Sequence, residues 1–166
     1  MLLPDLKSIL ELKDIKLWLI AENIRSAYNI GAMFRTADGT GTTGIILTGY
    51  SPTPENPKVS KTSLGAEKHV PWIAVKQTTE VIDKLHEFKI PVYGLEIIDS
   101  AKNLFEFTPE QWPIAICAGN EVEGVLAETM KSVDGFIEIP MHGHKQSLNV
   151  AEASSITMYE IYRKSL

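Results

Sequence analysis

The sequence predicts an α/β fold, a single domain with a mostly parallel sheet and helices on both faces. Three observations carry that expectation. Short apolar runs alternate with helix-forming segments along the whole chain, and parallel strands need such crossovers. No tract of Gly, Pro, Ser or like charge is long enough to be a linker, and nothing repeats. Finally, 166 residues suit one well-buried core and are short for two. The domain is read as 1–166, with 1–15 a short N-terminal helical extension.

Residues 4–12 place Leu6, Ile9 and Leu10 at helical spacing behind Pro4. KLWLIA (16–21) is a short apolar strand. A polar loop, 22–28, leads to a helix over 29–37 that stops at Asp38-Gly39. GIILT (44–48) is the next strand, 51–57 is a Pro-rich loop, and 58–67 is partly helical. Strands follow at 72–75, 90–95, 113–118 and 135–139, with helices at 79–88 and 125–131 between them. Residues 103–107 read as a surface turn. A last helix begins near residue 150 and runs almost to the end.

Composition narrows the class. The chain is 44% hydrophobic and 22% charged, as expected of a soluble globular domain. No apolar run approaches the ~20 residues of a membrane span, and the acidic N-terminus lacks a secretory pattern. One cysteine, Cys117, forbids an internal disulfide, and a cytoplasmic setting is expected. The net charge of −5 is uneven: residues 76–138 carry −7, while 1–75 and 139–166 carry +1 each. A polyanion is therefore permitted at the end segments and disfavoured in the middle.

Several motifs compete for a functional reading. Residues 39–44 spell G-x-G-x-x-G, but they follow a helix and precede a strand. That is the reverse of a dinucleotide loop, and a helix C-cap with a tight turn explains them better. Cys117 lies inside an apolar strand, which is the setting of an inert core thiol. His142 and His144 have no companion ligands at metal spacing, so no metal is expected. AGNE (118–121) ends a parallel strand, where open α/β sheets bind ligands, although Asn120 or Glu121 could equally serve the next helix N-terminus. Asn23, Arg25, Asn29 and Arg35 suit anion contact; alternatively Asn29 caps its helix and Arg35 pairs with Asp38. Asn149 with Glu152 has the spacing of a capping box, which leaves Gly143 and Ser147 unexplained.

Four stretches together carry a resemblance: ENIRSAYNIGAMFRTADG (22–39), KVSKTSLGAEKHVPW (58–72), AGNEVEGV (118–125) and IPMHGHKQSLNV (139–150). In order and spacing the chain resembles the TrmH-type branch of the SPOUT methyltransferases over residues 16–162. The resemblance implies a deep trefoil knot at the C-terminal end of the fold and a homodimer. It also implies S-adenosylmethionine-dependent methylation of a ribose 2′-hydroxyl in tRNA or rRNA. Asn29 and Arg35 fall on the family's substrate-side Asn and catalytic Arg, Glu121 on the acid of its second motif, and Ser147 and Asn149 on the polar pair of its third. Cofactor contacts are implied around Leu95, Gly119, Ile139, Met141 and Leu148, with Ser147 and Asn149 near Arg35.

Two departures shape the expectation. Many relatives carry an RNA-binding domain ahead of the catalytic one, whereas about fifteen residues precede the first strand here. RNA recognition is then expected from Arg25, Lys58, Lys61, Lys68 and Lys145, or from a partner protein. Glu152 stands where the family more often has an apolar residue. The last helix, with Ile156, Met158, Tyr159 and Ile161, is expected to supply part of a subunit contact or else intramolecular core. Two other classes compete with the methyltransferase: a catalytically inactive relative that binds cofactor or RNA, and a different α/β enzyme using a nucleotide cofactor.

Overall fold

The computed structural model describes residues 5–166. Pro4, expected near the start of the first helix, lies outside the described residues, and α1 runs over Leu6–Leu10 with Asp5 as its cap. The following elements are β1 Leu17–Glu22, α2 Ala27–Thr40, β2 Thr43–Thr48, α3 Pro57–Ser63 and, after a 3-10 turn at Ala66–Lys68, β3 Trp72–Val75. Then come α4 Thr78–Glu87, β4 Val92–Leu95, β5 Lys102–Asn103, β6 Ile114–Ala118, α5 Ala127–Met130, β7 Gly135–Glu138 and α6 Val150–Lys164.

The seven strands form one sheet in the order β3-β2-β1-β6-β4-β7-β5, and every pairing is parallel. Successive side chains of a strand point to opposite faces, and β1 shows the consequence. Leu17, Leu19 and Ala21 join the core packed under α2 and α6, while Trp18 and Ile20 join the core under α1 and α4. Both faces are thus covered, as the uniformly buried β1, β2 and β6 require. Burying side chains such as Phe34 and Trp18 stabilises the fold by roughly 2–3 kcal/mol each.

The strand order interleaves late strands among early ones: β6 lies between β1 and β4, and β7 between β4 and β5. That interleaving at the C-terminal end is consistent with the knotted path the resemblance implies. It also gathers the C-terminal ends of β4, β6 and β7 beside one another.

Three local expectations need correction. Residues 103–107 are not a plain surface turn: Lys102 and Asn103 pair with β7, and Leu104 and Phe107 are buried. The helix expected over 125–131 shrinks to four residues because Leu126 is extended at its start. The cap of α2 is Ser26, whose hydroxyl accepts from the N–H of Asn29, so Asn29 is not the cap and its side chain is free for other work. The G-x-G-x-x-G run is a helix end as expected: α2 stops at Thr40 and Gly41 closes it at φ +66°.

Candidate active site

The site is built where the ends of β4, β6 and β7 meet the start of α6. A cavity of about 400 Å³ opens there. Its lining includes Leu95, Gly119, Ile139, Met141 and Leu148, together with Glu121, Ser147 and Asn149 from the loops above. Gly119 cannot be replaced without moving backbone, since a Cβ would stand 2.2 Å from Gly124 and Val125. The chain therefore turns back on itself at the cavity floor.

Glu121 organises the first wall. Its carboxylate accepts from the N–H groups of Arg25 (2.9 Å) and Ser26 (3.1 Å) and from the side-chain amide of Asn29 (2.9 Å). Burial pushes this carboxyl's pKa up, but the donors, led by the Arg25 N–H, outweigh that and hold it below the ordinary glutamate range. The bond fixes the orientation of Asn29, whose amide nitrogen is taken by Glu121 and whose oxygen accepts from Asn149 Nδ2 at 3.4 Å. Asn149 in turn caps α6 through its oxygen, accepting from Ala151 at 2.8 Å and Glu152 at 3.4 Å. One relay, Glu121–Asn29–Asn149, thus joins the three motifs that carry these residues.

Asn120 is the second hub, and the sequence reading missed its role. It is 5% exposed and uses all four of its hydrogen-bonding positions. Its nitrogen donates to the carbonyl of Asn23 (2.8 Å) and to the hydroxyl of Tyr50 (2.6 Å), and its oxygen accepts from Val122 (2.7 Å) and Glu123 (3.1 Å). Neither Asn120 nor Glu121 serves the next helix. Glu22, fully buried at the end of β1, accepts from Leu126 N–H at 2.9 Å and from the Thr129 hydroxyl instead. Glu96 and Glu138, also missed, line the cavity; Glu96 accepts from Val125 and Ile97. Acid residues at or directly after strand ends were the available signal.

The candidate residues do not all converge. Arg35 lies in a separate open depression of about 530 Å³ with Ala32, Thr36, Lys61, Thr62 and Tyr159. Within one chain Arg35 shares neither a cavity nor a hydrogen bond with Ser147 or Asn149 among the described residues. Close packing of α2 on α3 shapes that depression, because a Cβ on Gly31 would come 2.4 Å from the Val59 carbonyl. The Arg35 guanidinium forms no ion pair with Asp38, nor any other side-chain hydrogen bond or ion pair, among the described residues. Arg25, Lys58, Lys68 and Lys145 are exposed and line neither depression.

Other candidates fall outside the site. Cys117 is fully buried, and burial, with the Glu22 carboxylate adding to it, pushes its thiol well above the ordinary value. His142 and His144 are exposed, and no metal-holding cluster of three His, Cys, Asp or Glu exists among the described residues. In α6, Met158 and Ile161 are core, while Ile156 and Tyr159 remain 37% and 51% exposed. No helix among the described residues is long and apolar enough to cross a membrane.

Comparison with known proteins is informative at this point. The model of the SpoU rRNA methylase family matches residues 16–159. A Staphylococcus haemolyticus protein, assigned by name to the TrmH family of tRNA/rRNA methyltransferases, is 36% identical over 146 residues, covering 88% of this chain and 58% of that one. The SpoU methyltransferase AviRb of Streptomyces viridochromogenes, solved with the cofactor AdoMet, superposes with a TM-score of 0.85 at 28% identity, over 97% of this chain and 64% of its own. An RNA 2′-O ribose methyltransferase superposes at 0.81 with 27% identity, over 93% of this chain and 58% of that chain. The chain thus spans about three fifths of the length of these relatives.

Proposed function

This chain belongs to the SpoU rRNA methylase family, and on that premise we propose that it transfers a methyl group from S-adenosylmethionine to a ribose 2′-hydroxyl of tRNA or rRNA. The observation that carries this reading is the cavity at the ends of β4, β6 and β7. Its volume of about 400 Å³ falls within the range of cofactor pockets, roughly 300–1,000 Å³. Leu95, Ile139, Met141 and Leu148 offer apolar surface for an adenine ring, and Glu96 and Glu138 offer acceptors for sugar hydroxyls. The donor set fits the group.

S-adenosylmethionine, when bound, supplies an electrophilic methyl carbon on a sulfonium. The protein's own residues then have to align the ribose oxygen with that carbon and exclude water. Asn149 lines the cavity and is held there by the α6 cap and by Asn29, which Glu121 fixes in turn. The Ser147 hydroxyl has no hydrogen-bond partner among the described residues and lines the cavity, so it is available to the substrate hydroxyl. Glu121 acts as a positioning residue, because its oxygens are spent on three donors.

Arg35 is assigned to orient the ribose-phosphate and to stabilise oxyanion charge as it develops. A guanidinium, with its pKa above ~12, is a poor proton acceptor, so a base role is not assigned to it. Its place in a different depression supports a homodimer in which the Arg35 region of one copy faces the cavity of the other. Exposed Tyr159 and Ile156 give that face apolar area. Sedimentation as a monomer at micromolar concentration would overturn the shared site.

The reading is tested by incubating the protein with methyl-labelled S-adenosylmethionine and bulk bacterial tRNA or rRNA, followed by alkaline hydrolysis. Label is expected in alkali-resistant dinucleotides, because a 2′-O-methyl group blocks cleavage. Label in mononucleotides would mean base methylation. Cofactor binding with no label in any RNA would make the chain a binding module.

A further inference from the structure

We infer that Tyr50 is a stacking platform for an RNA base next to the target nucleotide. The inference rests on the reading of RNA as substrate. Tyr50 lies just past the end of β2 and is 59% exposed. An exposed tyrosine is ordinary on a surface; what sets this one apart is how firmly it is held.

The loop that carries Tyr50 is tied to β1 at three points. Tyr50 N–H donates to Asn23 Oδ1 at 3.3 Å, the Ser51 hydroxyl donates to the Ala21 carbonyl at 2.8 Å, and the same hydroxyl accepts from Ile24 N–H at 2.9 Å. Asn23 adopts φ +50°, the left-handed region that asparagine tolerates better than most residues, and Gly49 beside it sits at φ +64°. A Cβ at Gly49 would come 1.8 Å from Asn23 Oδ1. The tip of the ring is fixed as well, because its hydroxyl accepts from the buried Asn120. Both ends of the side chain are therefore pinned while its face stays open.

The surroundings suit a nucleobase. Asn120 also accepts from the N–H of Val122, which is 72% exposed and lines the cavity, so one side chain ties the ring to the cavity mouth. Arg25 is exposed in the same β1–α2 loop as Asn23, and Lys76 follows Val75, whose carbonyl accepts from Gly49 N–H. An aromatic face flanked by cations that form no ion pair among the described residues is the arrangement that binds single-stranded nucleic acid. Glu123 on the Val122 side disfavours phosphate there, so the backbone is placed toward Lys76, which follows β3 on the opposite side of β2.

The test compares wild type, Tyr50→Phe, Tyr50→Leu and Tyr50→Ala. Filter binding with bulk bacterial tRNA and with deproteinised rRNA reads RNA affinity, and calorimetry with S-adenosylhomocysteine reads the cofactor site and folding. For the RNA that wild type binds, Tyr50→Ala is expected to weaken binding between about five- and hundredfold. Tyr50→Leu should fall in between, Tyr50→Phe should stay within about twofold, and cofactor affinity should hold in all four. Equal losses in Phe and Ala would show that the hydroxyl merely braces Asn120, and unchanged affinity in Ala would leave no platform; either overturns the proposal. Wild type that binds neither RNA would overturn the RNA reading itself, and this inference with it.

Discussion

The two walls of the cavity are built in opposite ways. On the side of β1 and β6, Asn120 and Glu121, with Asn29 held between Glu121 and Asn149, have their side-chain hydrogen bonds satisfied by named partners. On the other side, residues 139–148 make no hydrogen bond, backbone or side chain, among the described residues. Met141, Ser147 and Leu148 nonetheless line the same cavity. The first wall is pre-organised and costs nothing to arrange at the moment of reaction. The second has polar groups free for a ligand and must lose conformational freedom when it binds one. The chemistry is expected to depend on the first wall, and ligand-induced order to be confined to the second.

The largest effect is expected from a residue on neither wall. Arg35→Ala should lower methyl transfer by at least about 10²-fold, the loss typical of removing one charge-stabilising donor. Cofactor affinity should stay within about twofold, because Arg35 does not line the cavity. Calorimetry showing lost cofactor affinity in this variant would break the separation of the two depressions.

Next is the pre-organised wall. Glu121→Ala leaves the N–H groups of Arg25 and Ser26 and the Asn29 amide without their acceptor. Asn29 is then free to rotate, and kcat should fall about 10- to 100-fold with little change in cofactor affinity. Since these groups can reach water, the stability cost should be only about 1 kcal/mol. A variant with wild-type kcat would mean that the relay is structural alone.

The same carboxylate predicts a pH effect with a definite sign. A folded-state pKa held below the unfolded value stabilises the protein above the unfolded pKa, and that gain is lost as pH falls through the folded one. Glu121 is lowered in this way, and Glu160 further, to about 2, chiefly by hydrogen bonds from Arg163 and Lys164 against the opposing effect of burial. Thermal midpoints should therefore drop on going from pH 5 to pH 2.5. Glu121→Gln should flatten the upper part of that drop and Glu160→Gln the lower part. Identical profiles in wild type and both variants would contradict the assignment. Lys164 also donates to the carbonyls of Leu104 (2.7 Å), Phe105 (3.2 Å) and Phe107, which fixes the far end of α6 and leaves its freedom at the loop end.

How much of this was legible follows from the range of each interaction. Strands such as 72–75 and 114–118, and the helix end at 39–44, declare themselves through local pattern. The five positions expected around the cofactor all border the cavity: Leu95, Gly119, Ile139 and Met141 fall at or shortly past strand ends that a parallel sheet brings together, and Leu148 precedes the α6 cap above them. The misses are contacts between distant segments. Two-residue β5 has no period to read and exists because β7 pairs with it. The donors at 126 and 129 are met by Glu22, about a hundred residues earlier. Arg35 lies twelve residues from Asn23 in sequence, yet the α2 helix carries it into a different depression.

The smallest change is one that alters no side chain and separates the two walls directly. Amide hydrogen exchange reads the opening of individual N–H groups. Without ligand, the amides of residues 141–148 should exchange at close to the rate of an unstructured peptide, because they donate to nothing among the described residues. Those of Arg25, Ser26 and Val122, each donating to a side-chain oxygen of the first wall, should be slower. Saturating S-adenosylhomocysteine should slow the 141–148 group by at least about tenfold, as ligand contacts select one loop conformation from many. The first-wall amides should change by less than about threefold. Equal slowing on both sides would mean that the ligand tightens the whole domain and that the first wall is not pre-organised. Slowing confined to residues 141–148 would show that cofactor binding free energy is spent ordering that loop while the Glu121–Asn29–Asn149 relay is already in place.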